Sequence, residues 1–305
     1  MENQNKYKTL YIIGNGFDIY HGSPSRYSDF YNFCFCEAHN NCSIHGHDNC
    51  DTLQLLNYTY GSELWSDFEN KLGKPDMNAI RAAARIEQKH RQPRIDESLD
   101  FRASNVVEEI GGYLQYHICK WAHSLDADVC KCKKLLDIDN EKESALYLTF
   151  NYTKTLEKVY GISSNQIYHI HMDDDVENIK VKNDIVGIDC IYGCGDIDAE
   201  IEKNNSDFSE TMRIYSDYMR KKTGEIIRSE QWKTWFGEYG KSKDVDKICV
   251  IGHSLNDIDK PYFVEINKKH PKAKWYVSYH TEKEKMAMEK RLKGLNVGSY
   301  ELYLM

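Results

Sequence analysis

The sequence has no excess of basic residues, and this absence limits the partners that the protein can bind. Its 305 residues include 40 Lys and Arg against 48 Asp and Glu, which gives a net charge of −8. A protein that binds nucleic acid or an anionic membrane through charge needs basic residues to neutralise phosphates. Local basic stretches such as KHRQPR at 89–94 are more typical of solvated faces or loops. We therefore expect no general nucleic-acid binding.

Long apolar runs and interdomain linkers are also missing. No stretch approaches the ~20 apolar residues that cross a bilayer, and the N-terminal MENQNKYK lacks the apolar core of a secretory signal. With 5 prolines in the chain, no Pro/Gly/Ser-rich linker divides it. The composition, 41% hydrophobic and 29% charged, is typical of globular proteins. We expect a cytoplasmic protein without membrane contact, folded as one domain over residues 1–305.

Cysteines, in contrast, are abundant, with 10 in the chain. In a reducing cytoplasm we expect them to be mostly free thiols. The dense patch CFCEAHNNCSIHGHDNC at 34–50 could form a tetrahedral zinc site, since thiolate and imidazole suit that ion. The candidate ligands are Cys42, His45, His47 and Cys50. Their spacing does not match a standard finger, and Cys34 and Cys36 are expected to act as small apolar residues on a preceding helix. The sequence leaves open whether this patch holds zinc.

Short apolar segments predict a parallel sheet. The predicted strands are 10–13, 145–150, 167–171, 185–188, 248–251 and 274–279. Near-continuous apolar runs such as ALYLTF suit strands that are covered on both faces, which is the usual environment of parallel strands. Helical patterns follow at 155–160, 259–269 and 282–292. This alternation predicts an α/β fold with a doubly wound, mostly parallel Rossmann-like sheet.

Two regions interrupt this alternation of strands and helices, and their sequence patterns predict helices. They are residues 60–135 and residues 206–240, the latter rich in Tyr, Trp and charged residues. Within the first, 97–125 suggests either one long helix or two helices broken near Gly111 and Gly112. We predict that both regions are helical insertions that form a layer or cap over the sheet.

Polar groups follow several of the predicted strands. In open parallel sheets, ligands bind outside the carboxyl ends of the strands. The first strand is followed by Gly14, Asn15, Gly16, Phe17 and Asp18, the second by Asn151, Tyr152 and Thr153, and the fifth by Gly252, His253, Ser254, Leu255, Asn256 and Asp257. The third carries His169 and His171. Four strands thus deliver glycine, amide, imidazole and hydroxyl groups to one predicted edge of the sheet.

The glycines alone do not establish a dinucleotide site. The Rossmann fingerprint needs a third glycine, where Ile19 stands, and an acid at the end of the second strand ~20 residues on. The dehydrogenase motif is therefore absent. Asn151 could instead cap the helix that follows it. His169 and His171 share one face of the predicted strand, and with the acidic residues 173–175 they could bind a metal or simply border an exposed turn.

Longer motifs resemble a known family. The motifs are IIGNGFDIYHGSPSRYSDF at 12–30, LWSDFE at 64–69, LTFNYTKTLE at 148–157 and VIGHSLNDIDKPYF at 250–263. In this order they resemble the AbiH-like proteins of bacterial abortive infection, from residue 9 to about residue 263. The resemblance implies a role in phage defence, in which a phage-derived trigger acts and the helical insertions regulate the response.

The order of the shorter motifs also resembles, more distantly, the sirtuin-like NAD-binding superfamily. That resemblance implies a sirtuin-like sheet and a dinucleotide held by the loops. It implicates Gly14, Asn15, Gly16, Phe17, Asp18 and Gly22, with Pro24, in the glycine-rich loop, and Gly252, Ser254 and Asn256 on the adenosine side. It implicates Asn151 and His171 in chemistry beside the nicotinamide ribose.

The chain departs from the sirtuin-like pattern in three respects. Met172 follows His171 where that superfamily has glycine, and Asp18 stands where it usually has a small hydroxyl residue. A carboxylate at this position would repel a pyrophosphate unless it bonds backbone amides or a ribose hydroxyl. The four-cysteine zinc module of deacetylating sirtuins has no counterpart as paired C-x-x-C motifs, so we do not expect protein deacetylation.

These observations predict an enzyme that cleaves the nicotinamide–ribose bond of NAD, its substrate, without a metal. Histidine suits the role of general base because its ordinary pKa of about 6.5 is near cellular pH. We expect His171 to be that base and Asn151 to hold the water or a ribose hydroxyl. One alternative is a non-enzymatic sensor that binds a nucleotide at the same edge. A second is a metal-dependent hydrolase or nuclease built on His169, His171 and 173–175. Homo-oligomerisation is left open.

Overall fold

The structure is a computed structural model with two compact units. It describes residues 7–35, 48–61, 67–90, 98–129, 132–173, 179–181, 184–186, 189–190, 192–195 and 197–305. The first unit comprises Met1–Ser25, Ala122–Asp175 and Lys222–Met305, and the second comprises Arg26–Trp121 and Val176–Lys221. Of the predicted helical insertions, 60–121 and 206–221 belong to the second unit, and 122–135 and 222–240 belong to the first. The prediction of a single domain with two insertions stays a prediction.

The strands and helices of the described residues follow in chain order. The strands are β1 (Thr9–Ile13), β2 (Ala145–Thr149), β3 (Ile167–His169), β4 (Met172–Asp173), β5 (Ile179–Val181), β6 (Asp184–Val186), β7 (Asp189–Cys190), β8 (Lys247–Ile251), β9 (Lys274–Tyr279) and β10 (Tyr300–Leu304). The helices before β2 are α1 (Asn15–Tyr20), α2 with its described part at 27–35, α3 (Asp48–Tyr60), α4 (Phe68–Leu72), α5 (Met77–His90) and α6 (Leu99–Val129). Those after β2 are α7 (Thr155–Lys158), α8 (Ala199–Asn204), α9 (Ser209–Met219), α10 (Thr223–Arg228), α11 (Glu230–Phe236), α12 (Lys260–Lys269) and α13 (Glu282–Gly294). Short 3-10 turns lie at Lys142–Ser144, Ser164–Gln166 and Ser206–Phe208.

The first unit is built on a six-stranded sheet with the order β10-β9-β8-β1-β2-β3. Every neighbouring pair in it is parallel. In chain order the first three strands run outward from β1 in one direction, and the last three run outward from β8 in the other. This is the strand order of dinucleotide-binding Rossmann folds. The predicted doubly wound parallel sheet is confirmed.

Both faces of the sheet are covered, which explains the continuous apolar runs of its central strands. In β1, Leu10 and Ile12 point into a core that includes residues of α11, α12 and α13. Tyr11 and Ile13 point into the opposite core, which includes residues of α1 and α7. Because successive side chains of a strand alternate between faces, a strand buried on both sides is apolar at most positions, and the threonines of β1 and β2, Thr9 and Thr149, lie at the strand ends.

One of the sequence predictions about strands is wrong, and one strand of the sheet was not predicted. The predicted strand 185–188 overlaps β6, which forms an antiparallel hairpin with β5 in the second unit instead of joining the main sheet; residues 187–188 lie outside the described residues. Its run of branched apolar residues suits an antiparallel strand equally well. The sheet instead ends in β10. Because this strand lies at an edge, its sequence YELYL is partly exposed along its length. It therefore has no continuous apolar run from which a strand could be predicted.

The second unit contains helices that pack around buried aromatic residues. The Tyr60 and Tyr215 hydroxyls lie 2.5 Å apart, and Tyr215 donates to the carbonyl of Leu72 at 2.6 Å. These bonds satisfy polar atoms that burial would otherwise leave without partners. The long helix α6 runs through Gly111 and Gly112 without a break, so the alternative of two shorter helices is wrong.

The adjacent glycines of α6 differ in their surroundings and provide a test of packing in the second unit. A Cβ at Gly111 would overlap the Tyr218 ring and lie 2.8 Å from the Tyr218 Cβ, whereas a Cβ at Gly112 would meet nothing within 4 Å. Gly112→Ala is expected to stabilise the protein by about 0.5–1 kcal/mol through helix propensity. Gly111→Ala is expected to destabilise it by about 1–3 kcal/mol through overpacking. Urea unfolding of both variants measures the difference, and equal free energies of unfolding would contradict this packing.

Candidate functional site

The reversal of strand order between β1 and β8 places two loops side by side at the carboxyl ends of the strands. The Gly14 N–H donates to the carbonyl of Ile251 at 2.9 Å, and the Gly16 N–H donates to the carbonyl of Gly252 at 2.8 Å. In open α/β sheets this switch point is where ligands bind. The structure therefore brings the predicted first and fifth strand ends together, next to β2.

The glycines at this point are required by the contact between the two loops. A Cβ at Gly14 would lie 2.5 Å from the Cα of His253, and one at Gly16 would lie 2.8 Å from the Cα of Gly252. Gly252 has φ +66, and its Cβ would overlap the backbone nitrogen of Phe17. These glycines face other parts of the chain, so packing accounts for them without a ligand. Their predicted contact with a dinucleotide stays a prediction.

Other predicted residues of the first loop hold the loop itself together. The Asn15 amide donates to the Ser25 carbonyl at 2.7 Å and accepts from the Ser25 hydroxyl at 2.5 Å. Phe17 is buried and lies 4.4 Å from the His21 ring and 5.6 Å from the Tyr160 ring, between centroids. Gly22 adopts φ +82 in the exposed turn that follows. The observed contacts of Asn15 and Phe17 therefore stabilise the loop itself.

Asp18 lies at the centre of a buried polar cluster. Its carboxylate accepts hydrogen bonds from the hydroxyls of Thr153 at 2.6 Å and Thr155 at 2.9 Å. With 1% of its surface exposed, Asp18 has no direct access to a pyrophosphate. Burial raises the pKa of Asp18 to about 6, with a contribution from the charge of Asp126, although the polar side chains around it lower it.

Asn151 joins this cluster and does not cap the helix that follows. Helix α7 is preceded by Lys154 and has no side-chain cap, so the capping alternative is wrong. Only 3% of Asn151 is exposed, and its backbone N–H donates to the Thr149 hydroxyl at 3.1 Å. Its Oδ1 is buried and has no hydrogen-bond partner among the described residues. Buried polar atoms are nearly always paired, so this oxygen is an exception that a ligand could satisfy.

His171 is buried beside the same loop, within an aromatic group. Its ring stacks on Tyr152 with centroids 5.0 Å apart, and the Phe150 ring lies 6.0 Å away. Strand β3 ends at His169, so the argument that His169 and His171 share a strand face does not extend to His171. The His169 Nε2 instead contacts the Glu157 carboxylate at 2.8 Å.

The loop after β8 is fixed by a second histidine. His253 Nδ1 accepts from the Leu255 N–H at 2.9 Å, so the ring proton lies on Nε2, which is 3.4 Å from an Asp259 oxygen. This arrangement holds Leu255 at φ 53, a left-handed conformation that is unusual for a bulky residue. The Phe150 ring lies 4.4 Å from the His253 ring and thus contacts both histidines.

The residues predicted for the adenosine side differ in their availability. The Asn256 side chain accepts from the Asp259 N–H at 3.0 Å and so supports the start of α12. Ser254 is exposed, and its carbonyl accepts from Arg291 at 2.5 Å. Of the predicted adenosine group, the Ser254 hydroxyl is therefore the side-chain group best placed to meet a ligand.

The described residues contain no cluster of side chains suited to binding a metal ion. No group of three or more His, Cys, Asp or Glu side chains is arranged to hold an ion in that part of the chain. The candidate zinc ligands Cys42, His45 and His47 lie outside the described residues, and for Cys50 only the backbone is described. Of the acidic residues 173–175, the structure describes the backbone of Asp173 alone.

Sequence reasoning found the loops of this site but missed several partners within it. Thr153 and His253 were predicted only as polar groups that follow their strands. Their partners were not predicted: Thr155, which bonds Asp18 together with Thr153, and Asp259, which pairs with His253. Asp126, near the end of α6, accepts from the Lys154 N–H at 2.7 Å and pairs with Lys158. The only available signal was the polar character of NYTKT directly after a buried strand.

Comparisons with known proteins agree with the motif order. Residues 10–279 match the family described as bacteriophage abortive infection AbiH. No curated protein matches the chain. No helix of the described residues is long and apolar enough to span a bilayer. Since the family match extends over most of the sequence, the chain belongs to the bacteriophage abortive infection AbiH family.

Proposed function

We propose that this AbiH-family protein is a phage-defence enzyme that hydrolyses the nicotinamide–ribose bond of NAD at the carboxyl ends of β2 and β3. The observation that carries the proposal is the buried, unpartnered Asn151 Oδ1 in a sheet with the strand order of dinucleotide-binding folds. NAD as the substrate is suggested by the resemblance of the motif order to sirtuin-like proteins. A cytoplasmic setting and a phage-derived trigger are parts of the same proposal.

The reaction needs a base and an orienting group, and the proposed site offers both. The bond between nicotinamide and C1′ of the ribose breaks, and neutral nicotinamide leaves with the electron pair. The oxygen of water bonds to C1′, and His171 takes the proton that the water loses. A positioned base of this kind contributes roughly 10²–10⁴-fold to the rate. Burial of His171 against Tyr152 favours the exclusion of bulk water.

The fit of the dinucleotide depends on side chains more than on the glycine loop. The glycines at 14, 16 and 252 face the chain itself, and Asn15 and Asn256 are engaged in internal hydrogen bonds. The proposal assigns Asn151, Tyr152 and His171 to the reaction centre and the exposed Ser254 to the neighbouring loop. None of these groups requires a metal.

A direct assay of nicotinamide release tests the proposal. Purified protein is incubated with NAD, with and without a chelator, and nicotinamide and ADP-ribose are quantified. We expect release that the chelator does not affect and that His171→Ala and Asn151→Ala each lower at least roughly 10²-fold, in line with the loss of a positioned base. His123→Gln, which changes an exposed histidine of α6, serves as the matched control and should keep the parent rate.

The other outcomes separate the alternatives. NAD binding without turnover, in the presence of phage lysate as well as in its absence, would favour the sensor. Release that disappears with the chelator would favour a metal-dependent hydrolase. Absence of both binding and release would remove NAD as the substrate.

A further inference from the structure

A cavity of about 190 Å³ lies along edge strand β3, within the first unit. The turn before β3, the strand itself, helix α11 and the loop after this helix all contribute to it. Its lining includes Ser164, Asn165, His169, Gln231, Trp235 and Lys241. Asn151, Tyr152 and His171, the residues of the proposed reaction centre, do not line it. The cavity is therefore a separate feature of the fold.

The lining of this cavity is basic. Its described residues include a lysine, Lys241, and no Asp or Glu. The carboxylate of Glu230, which precedes the lining residue Gln231 in α11, is paired with Lys233 at 2.6 Å. In a protein with a net charge of −8, a cavity with an ammonium and no carboxylate in its described lining favours an anionic ligand over a cation.

The Lys241 ammonium is held in place and keeps hydrogen-bond donors. It donates to the Asn165 carbonyl at 2.6 Å and lies 4.5 Å from the centroid of the Trp235 ring. An ammonium has three N–H donors, and this carbonyl occupies one of them. Burial lowers the pKa of Lys241, because the charged group loses part of its hydration. An anion in the cavity would offset this loss by accepting from the other donors.

His169 gives a second, independent indication of a ligand. Its side chain is 7% exposed, and its Nε2 lies 2.8 Å from the Glu157 carboxylate. An ionised carboxylate only accepts hydrogen bonds, so the ring proton lies on Nε2 and Nδ1 is an acceptor. This Nδ1 is buried and has no partner among the described residues, whereas buried polar atoms are nearly always paired. A hydroxyl of a ligand in the cavity could supply that partner.

We propose that this cavity binds a small oxyanion that also carries a hydroxyl group, with the oxyanion on Lys241 and the hydroxyl donating to His169 Nδ1. Short hydroxy acids and hydrogen phosphate share this chemistry. An apolar ligand would leave both polar groups unsatisfied. Ser164, Asn165 and Gln231 are exposed at the cavity and offer further polar contacts. The proposal does not depend on NAD hydrolysis.

Protein-observed NMR on the full chain tests the proposal. The probes are glycolate, hydrogen phosphate and acetate, added at constant ionic strength to protein labelled with ¹⁵N at tryptophan and histidine. Trp235→Phe and His169→Gln assign the two signals that are followed. We expect glycolate or hydrogen phosphate to shift the Trp235 indole and His169 Nδ1 signals saturably, with a Kd of roughly 1 mM or tighter. Whichever of the two binds identifies the source of the oxyanion.

Acetate is the control ligand, because it has the oxyanion without the hydroxyl. It should bind roughly tenfold or more weakly than the better of the other two probes, since it leaves the buried acceptor of His169 unpaired. Acetate that binds as tightly as both other probes would overturn the proposal. So would the absence of a saturable shift with all three.

Three variants distinguish a ligand-binding lysine from one that only fixes the loop. Lys241→Gln should weaken binding of the preferred probe roughly tenfold or more, because a charge-assisted hydrogen bond is lost. Lys241→Arg should retain most of the affinity, since a guanidinium also binds oxyanions. Lys233→Gln, which changes an exposed lysine of α11, is the matched control and should bind as the parent does. Unchanged affinity in Lys241→Gln, or an equal loss in Lys241→Gln and Lys241→Arg, would overturn the proposal.

Discussion

Gly252→Ala is expected to lower the free energy of unfolding by about 2–5 kcal/mol, the sum of left-handed strain and overpacking. The residue has φ +66, which costs an alanine more than a glycine. The added Cβ would also overlap the Phe17 nitrogen and lie 2.6 Å from the Gly16 carbonyl carbon. Both are backbone atoms, so no side-chain rotation can relieve the contact. Urea unfolding of the variant and the parent gives the difference.

Gly22→Ala is the matched control for this change. Gly22 also has a left-handed φ of +82, but a Cβ there would meet nothing within 4 Å. The control therefore carries the strain without the overlap and should cost about 1 kcal/mol. If the two variants lost equal stability, the contact between the loops after β1 and β8 would not be the reason for Gly252. If Gly252 served only to let a ligand approach, Gly252→Ala would instead lower the affinity for NAD and leave the free energy of unfolding near that of the control.

The fold was predictable where burial imposes a pattern on the sequence. Strands such as β1 and β2 are apolar at nearly every position because helices cover both faces of the sheet. Edge strand β10 has no such pattern, since partial exposure admits Glu301 among its aromatic and apolar residues. The rule that ligands lie at the carboxyl ends of parallel strands also identified the loops that meet at the switch point.

The partners of individual side chains were not predictable in the same way. Asp18 and Thr153 are separated by 135 positions in the sequence, and nothing in either local motif indicates the other. Asn15 and Asn256 are polar residues after strands, as a ligand site requires, yet each bonds its own loop. Whether a loop amide binds a ligand or the chain depends on tertiary geometry, which a single sequence does not contain.

Asp18→Asn is expected to remove a pH dependence of stability of about 3 kcal/mol. Burial raises the pKa of Asp18 from 3.8 to about 6, so between these values the folded protein binds a proton more tightly than the unfolded chain does. The contribution of Asp18 to stability is therefore fully present below pH 4 and is lost as the pH rises through 6. A shift of this size corresponds to about 3 kcal/mol.

The measurement compares urea unfolding of the parent and the variant at several values between pH 4 and pH 7.5. The free energy of unfolding of Asp18→Asn relative to the parent should rise with pH across this window and level off above pH 7. Asp139→Asn is the control, because the hydrogen bond from the Lys134 ammonium lowers the pKa of Asp139. The stability that Asp139 contributes is lost only as the pH falls below its ordinary pKa of 3.8, so this variant and the parent should show nearly the same pH dependence across the window. A parallel pH dependence in Asp18→Asn and the parent would contradict the buried, ionised state of Asp18.

The sign of this effect connects stability with the proposed chemistry. A carboxylate that is buried and charged at neutral pH weakens the folded state, and its neutral amide isostere avoids that cost. Such groups are common at functional sites, where a perturbed pKa accompanies a chemical task. We therefore expect Asp18→Asn to gain stability relative to the parent at pH 7.5. A loss of stability at that pH would indicate instead that the buried cluster had collapsed.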